Sequence, residues 1–378
     1  MTIVDGYTRF GGSHPETATL TNVLAATGVR NPLTGAPFTE ALLLGIGGGL
    51  GAGYILWEFQ EHKVLVLGFH HQWQYPMRYY QNLCDHIGVT ITMPETGSRK
   101  AAADTLEAAI SDGRPAVAWV DRAFLPYMQI PASMEGHMGQ FISVCGDEGD
   151  NWLIDDRATA PFRMSKLAMT DARARIGSYK NRLLLVEKFT EAGVVSAIHQ
   201  GLQTCVEHLS SDSDSFSLPA LRKWGRMMTD AKNKKGWLNL FQDPRGLYST
   251  LRSTFESIEL TVGAGGLRGL YADFLTEAAD LIGKTELREV AQRYRELAAM
   301  WTQLADMALS DEIDPLRETK QLLRERHAIT MQGGEAWQTT IPLTEQLQTM
   351  SRQYNADFPL DDAGIKHLFT AMQAQLLA

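Results

Sequence analysis

The sequence predicts an α+β region followed by an all-α helical bundle, and three observations carry that expectation. Up to about residue 190, helical patterns alternate with short β-rich runs: "KVLVLGF" (63–69), "RPAVAWVD" (114–121), "QFISVCG" (140–146), "NWLIDD" (151–156) and "RLLLVEKF" (182–189). Beyond it strand signals nearly vanish, and stretches such as "YADFLTEAADLIG" and "TELREVAQRYRELAAMWTQLADMALS" take over. The 378 residues also exceed one ordinary core, so domains at 1–190 and 191–378 are expected.

The first helix opens in "GGSHPETATL" (11–20). Ser13 and Glu16 fit an S-x-x-E capping box, and Pro15 falls in the first turn, where a missing N–H costs little. Leu20, Val23 and Leu24 form an inward face, and Gly28 ends the helix. The positive end of a helix also lowers the pKa of a thiol placed there and favours a developing anion. At the place where a nucleophile would be well set stands Pro15, so the helix start carries no thiol.

The run "ALLLGIGGGLGAGYILW" (41–57) is uncharged, yet it is shorter than the roughly 20 residues of a membrane span and diluted by glycine. Gly47, Gly49 and Ala52 formally satisfy a G-x-G-x-x-A fingerprint, but no strand precedes them and no acid follows at about 20 residues. Close backbone packing or a wall of a cleft remain as explanations. The next cluster, "FHHQWQYP" (69–76), follows a buried-looking strand and holds His70, His71, Trp73 and Tyr75.

"QFISVCGDEGDNWLIDD" reads as a hairpin turning at "DEGDN". With Gly146 opposite Asn151, residue 140 faces residue 157 and Phe141 faces Asp156. The register hands the position of a base at the start of the first strand to Gln140. His137 lies three residues further out, about 10 Å along an extended strand, and meets Asp156 only across a bend. Arg157 is the plain alternative partner for Asp156. In the helix expected at 285–309, Leu287, Val290, Tyr294, Leu297, Trp301, Leu304 and Met307 recur at helical spacing and are assigned to the core.

Composition excludes several classes. A net charge of −9 without a basic stripe argues against nucleic acid, while 44% apolar and 21% charged residues describe a globular chain with a sizeable core. Three scattered cysteines, Cys84, Cys145 and Cys205, offer neither a disulfide framework nor zinc spacing. The N-terminus lacks the order of a signal peptide, so a cytoplasmic location and no membrane partner are expected. The G-x-G-x-x-A match lacks its strand and acid, and no H-E-x-x-H spacing is present, so neither cofactor nor metal is expected.

Taken together, "GGSHPETATLTNVLAATG", "TEALLLGIGGGLGAGYILWEF", "HHQW", "VDRAFLPYM", "LIDDRA", "SYKNRLLLVE" and "GGLRGLYADFLTEAADLIG" resemble the butirosin biosynthesis protein H family over nearly the whole chain. The resemblance implies a papain-like, cysteine-peptidase-like N-terminal domain followed by a helical domain. It also implies transfer of an aminoacyl group from a carrier-protein thioester to an amine in antibiotic assembly. Carried over by position, the family cysteine is Pro15, the histidine before it His14, the acid after it Glu16 and the hairpin acid Asp156.

The resulting expectation is a biosynthetic enzyme of secondary metabolism, acyltransferase-like or cyclase-like. It would act on an acyl or aminoacyl thioester, or its product, by non-covalent acyl transfer, amide formation or ring closure. The site then supplies proximity, a base and an anion-stabilising helix start. His14, Glu16, His71, His137 and Asp156 are the candidate acid–base groups, and Ser13, Trp73, Tyr127 and Gln140 the candidate substrate contacts. The expected partners are a small-molecule substrate, an acyl carrier protein and a second copy in a homodimer. The alternative is a catalytically inactive binding or scaffold protein that retains the cleft.

Overall fold

The computed structural model describes residues 2–59, 62–190 and 193–378. Its N-terminal region is α+β: β1 (Thr2–Ile3), α1 (Pro15–Ala26), α2 (Glu40–Ile46), β2 (Leu50–Phe59), β3 (His62–His70), α3 (Pro76–His86), β4 (Val89–Thr92) and α4 (Arg99–Ser111). It continues with β5 (Ala116–Asp121), β6 (Gly139–Glu148), β7 (Asn151–Asp155), β8 (Phe162–Ser165), α5 (Lys166–Arg175) and β9 (Leu183–Phe189). From Val194 onward every regular element among the described residues is helical, beginning with α6 (Val194–Leu209) and α7 (Leu218–Thr229). All five expected strands form, as β3, β5, β6, β7 and β9, while β1, β2, β4 and β8 carried no such signal. β2 was hidden because its glycines dilute the β-rich pattern. No helix is long and apolar enough to cross a membrane among the described residues.

The chain packs as two compact units, and the domain junction expected at 190/191 adjoins residues 191 and 192, which lie outside the described residues. The first unit comprises Met1–Leu43, Tyr80–Ala197 and Ala328–Ile341, the second Leu44–Tyr79, Ile198–His327 and Pro342–Ala378. In the first, an antiparallel sheet runs in the order β4-β9-β5-β6-β7-β8, with β1 also paired to β6. Leu20, Val23 and Leu24 of α1 are buried, and Ser143 Oγ of β6 donates to the Thr19 carbonyl. Tyr80, Trp119 and Phe141 meet edge-on in the same core.

The hairpin register differs from the expected one. Glu148 pairs with Asn151 and Gly146 with Leu153, and after a bulge at Cys145, Ser143 pairs with Asp155. Only Gly149 and Asp150 make the turn, with Gly149 in the left-handed region at φ +69°. The tight turn and the bulge shift the ladder, so β7 ends at Asp155, and among the described residues Asp156 faces neither Phe141 nor another ladder partner.

In the second unit, the β2–β3 hairpin packs among helices. Tyr54 stacks on Trp224 and accepts a hydrogen bond from Trp237 Nε1, and Phe69 meets Trp301 edge-on. The glycine run serves close packing, since a Cβ on Gly45 would fall 2.2 Å from the Phe274 ring. The stripe expected on the helix Leu287–Ala308 is partly corrected. Trp301 and Leu304 are buried, but Val290 and Leu297 are 39% and 40% exposed. The buried line runs instead through Ala291, Trp301, Leu304, Ala305 and Ala308, and Gly265 approaches the same helix closely at Ala298. Small side chains set that contact face, which turns Val290 and Leu297 outward.

Candidate active site

The start of α1 is built differently from a capping box. His14 is the N-cap residue, without a side-chain cap bond, and Pro15 is the first helical residue. The carboxylate of Glu40, at the start of α2, does the capping from elsewhere in the chain. It accepts from the Ser13 amide at 2.9 Å, the His14 amide at 2.8 Å and Thr17 Oγ1 at 2.9 Å. A carboxylate there satisfies orphan amides and faces the positive end of the helix dipole. Glu16 is thereby released from capping, and its Oε2 lies 2.9 Å from Nε2 of the buried His14. Nδ1 of the same ring lies 3.1 Å from Thr17 Oγ1, so the imidazole is held at both nitrogens.

A second polar group sits just past the end of β7. The Asp156 carboxylate is fully buried and accepts from Gln140 Nε2 at 3.0 and 3.1 Å, from the Tyr127 hydroxyl at 3.1 Å and from Arg157 Nε at 3.1 Å. Tyr127 stacks on Phe162 with ring centroids 3.8 Å apart. Burial, and then the Asp156 charge, push the Tyr127 hydroxyl well above the usual phenol range. Arg157 adopts φ +64°, and its guanidinium reaches the Ser13 carbonyl at 3.5 Å. That contact ties the hairpin acid to the start of α1.

The neighbouring Asp155 belongs to a separate network. It accepts from the Tyr7 hydroxyl at 2.7 Å and Asn22 Nδ2 at 2.8 Å, and burial raises its carboxyl to about 7.

Within the first unit, then, Ser13, His14 and Glu16 lie at the helix start, and Gln140, Tyr127 and Asp156 lie around the hairpin. His137 is exposed in the turn before β6, and the Asp156 oxygens are occupied by Gln140, Tyr127 and Arg157 instead. His71 and Trp73 belong to the second unit. There the His71 ring contacts the Gly47 carbonyl at 3.3 Å and meets His208 edge-on at 4.8 Å. The Trp73 indole lies over Gly68, where a Cβ would fall 2.1 Å from Nε1.

Three residues of this arrangement had no sequence signal: Glu40, Arg157 as a link to Ser13, and Tyr179. The Tyr179 hydroxyl lies over Gly139 at the start of β6, where a Cβ would be 1.8 Å away. Its pKa is pushed up to about 12 by burial and by the charges of Glu16 and Asp121. All three cysteines are buried, and burial drives the Cys84 and Cys145 thiols far above their ordinary range. His14 Nε2 and Glu16 Oε2 offer two adjacent ligand atoms, 2.9 Å apart.

Comparison with known families gives two adjacent matches. The N-terminal region of butirosin biosynthesis protein H matches residues 14–157. A domain of unknown function (DUF4872) matches residues 168–339. No curated protein matches the chain.

Proposed function

The chain belongs to the two-domain butirosin biosynthesis protein H family, and from that membership we propose that it works in natural-product biosynthesis as an acyl-transfer enzyme without a cysteine nucleophile. Its N-terminal region is read as papain-like, and α1 packed on an antiparallel sheet through Ser143 and Thr19 supports that reading. The substrate is an acyl or aminoacyl thioester, attacked directly by an amine of the acceptor or by one within the same molecule. The nitrogen forms the new bond to the carbonyl carbon, the carbon–sulfur bond breaks, and the departing sulfur takes up the proton that the nitrogen loses.

The observation that carries the proposal is the composition of the helix start: buried Pro15 in the first turn, between His14 and Glu16, with every thiol of the chain buried. No thiol stands at this helix start, so the reading assigns the site's contribution to positioning. The test is to incubate the full chain with acyl thioesters of N-acetylcysteamine and a panel of primary amines, and to follow amide by mass spectrometry. Amide formation that survives alkylation of the protein and falls with Glu16→Gln supports the reading. A rate equal to that without protein sinks it.

One observation favours the scaffold alternative: Glu40 already occupies the Ser13 and His14 amides that would otherwise face a developing anion. Thioester binding without turnover in the same experiment selects that reading.

A further inference from the structure

Tyr179 stands in the candidate site with a hydroxyl that makes no hydrogen bond among the described residues. Its ring lies across the start of β6, with the oxygen where a side chain at Gly139 would begin. Gly139 shares a face of β6 with Ser143, because alternate residues of a strand point the same way, and Ser143 Oγ bonds the Thr19 carbonyl of α1. The hydroxyl is therefore on the α1 side of the sheet, close enough to Glu16 and Asp121 to feel both charges. Arg182, a cation that acts on it, is committed to Glu95, with Nε 2.8 Å from the carboxylate. Gln140, at the position expected for a base, is spent on Asp156.

We propose that Tyr179 is a substrate-contacting residue of the candidate site, whose oxygen, together with the Glu16 carboxylate, accepts hydrogen bonds from the amino group of the acyl acceptor. The assignment rests on the acyl-transfer reading above. A neutral phenol in a field set by two carboxylates suits a group rich in N–H donors and disfavours an oxyanion. Its high pKa keeps it protonated at neutral pH, so it orients the nitrogen and does not remove its proton. The small residue at 139 is part of the device, since any side chain there would displace the phenol.

The experiment uses the full chain with Tyr179→Phe and, independently, Gly139→Ala. Each should raise KM for the amine by about tenfold, the worth of one hydrogen bond of roughly 1.4 kcal/mol, and leave KM for the thioester unchanged. A merely structural role would move both constants and the melting temperature together. An unchanged amine KM in Tyr179→Phe, with amide still forming, overturns the assignment and leaves the acyl-transfer reading intact. Calorimetric titration of the amine alone separates the other cases. If wild type forms no amide but binds an amine that Tyr179→Phe releases, the acyl-transfer reading fails and the contact stands. No amide and no amine binding overturn both.

Discussion

The side-chain amide of Gln140 donates to both carboxylate oxygens of Asp156, at 3.0 and 3.1 Å, although β7 ends one residue before that acid. With Tyr127 and Arg157 on the same carboxylate, a fully buried acid is met by three donor residues, one of which, Arg157, is also its counter-charge. Removing the acid should therefore hurt more than removing one donor. Asp156→Ala leaves the Arg157 guanidinium, 5% exposed, without this carboxylate, and about 3–5 kcal/mol of stability should be lost. Gln140→Ala should cost about 1–3 kcal/mol. Urea unfolding measures both, and equal losses would contradict the network.

Asp155 predicts a pH dependence of the opposite sense to a paired surface acid. Its carboxyl is raised to about 7 when folded, chiefly by burial, against about 3.9 in the unfolded chain. The folded state thus binds the proton more tightly between these values. The stabilisation is fully present below about pH 4 and is lost as pH rises to about 7. Asp155→Asn keeps an acceptor for Tyr7 and Asn22 and should flatten that slope. Melting temperatures of both proteins between pH 4.5 and 7.5 decide it, and parallel curves would remove Asp155 as the cause.

How much of this was legible depends on how local the cause is. The first helix was, because Pro15 and Gly28 punctuate it within its own residues. So were β5, β6, β7 and β9, whose apolar runs announce burial. The register was not, since Gly146 lies where a Cβ would be 2.5 Å from the Thr2 carbonyl, and a strand at the far N-terminus shapes that part of β6. Glu40 caps a helix that begins 25 residues earlier in the sequence, and Tyr179 reaches Gly139 across 40 residues. Their neighbours in sequence say nothing of either contact. Val290 and Leu297 misled for a related reason: spacing fixes a stripe, but which stripe faces inward was set by the close contact at Gly265.

The packing of the second unit bears on truncation. A fragment 1–190 keeps β2 and β3 but loses Trp224, Trp237 and Trp301, on which Tyr54 and Phe69 rest. The exposed apolar surface should make the fragment insoluble or prone to aggregate. A monomeric fragment with a sharp melting transition, observed by light scattering and calorimetry, would show that the hairpin does not need those helices.

The thiols should be silent in the native chain. Cys84, Cys145 and Cys205 are each at most 2% exposed, and burial holds the first two far from the thiolate form that alkylating reagents attack. Iodoacetamide should label none of them at pH 8 over an hour, and all three in denaturant, as read by peptide mass. Rapid native labelling of any one would place a reactive thiol where none is expected.

The most direct probe of the helix start changes the residue in its first turn, Pro15. A cysteine there would lie in the first turn of α1, where the helix dipole lowers a thiol pKa from about 8.5 toward neutrality. Opposing this, the Glu40 carboxylate accepts from the two amides just before it, and Glu16 follows directly. Pro15→Cys should therefore take an acyl group from a small thioester, seen as a mass-shifted peptide containing residue 15, but slowly. Adding Glu40→Gln removes one negative charge while keeping an acceptor for the Ser13 and His14 amides. Acylation at residue 15 should then quicken several-fold at pH 7, and the pH midpoint of the reaction should fall. If Pro15→Cys folds well yet residue 15 reacts no faster than Cys84 or Cys205, with or without Glu40→Gln, the helix start does not open onto a reactive cleft. The papain-like reading of the N-terminal region would then lose its main chemical support.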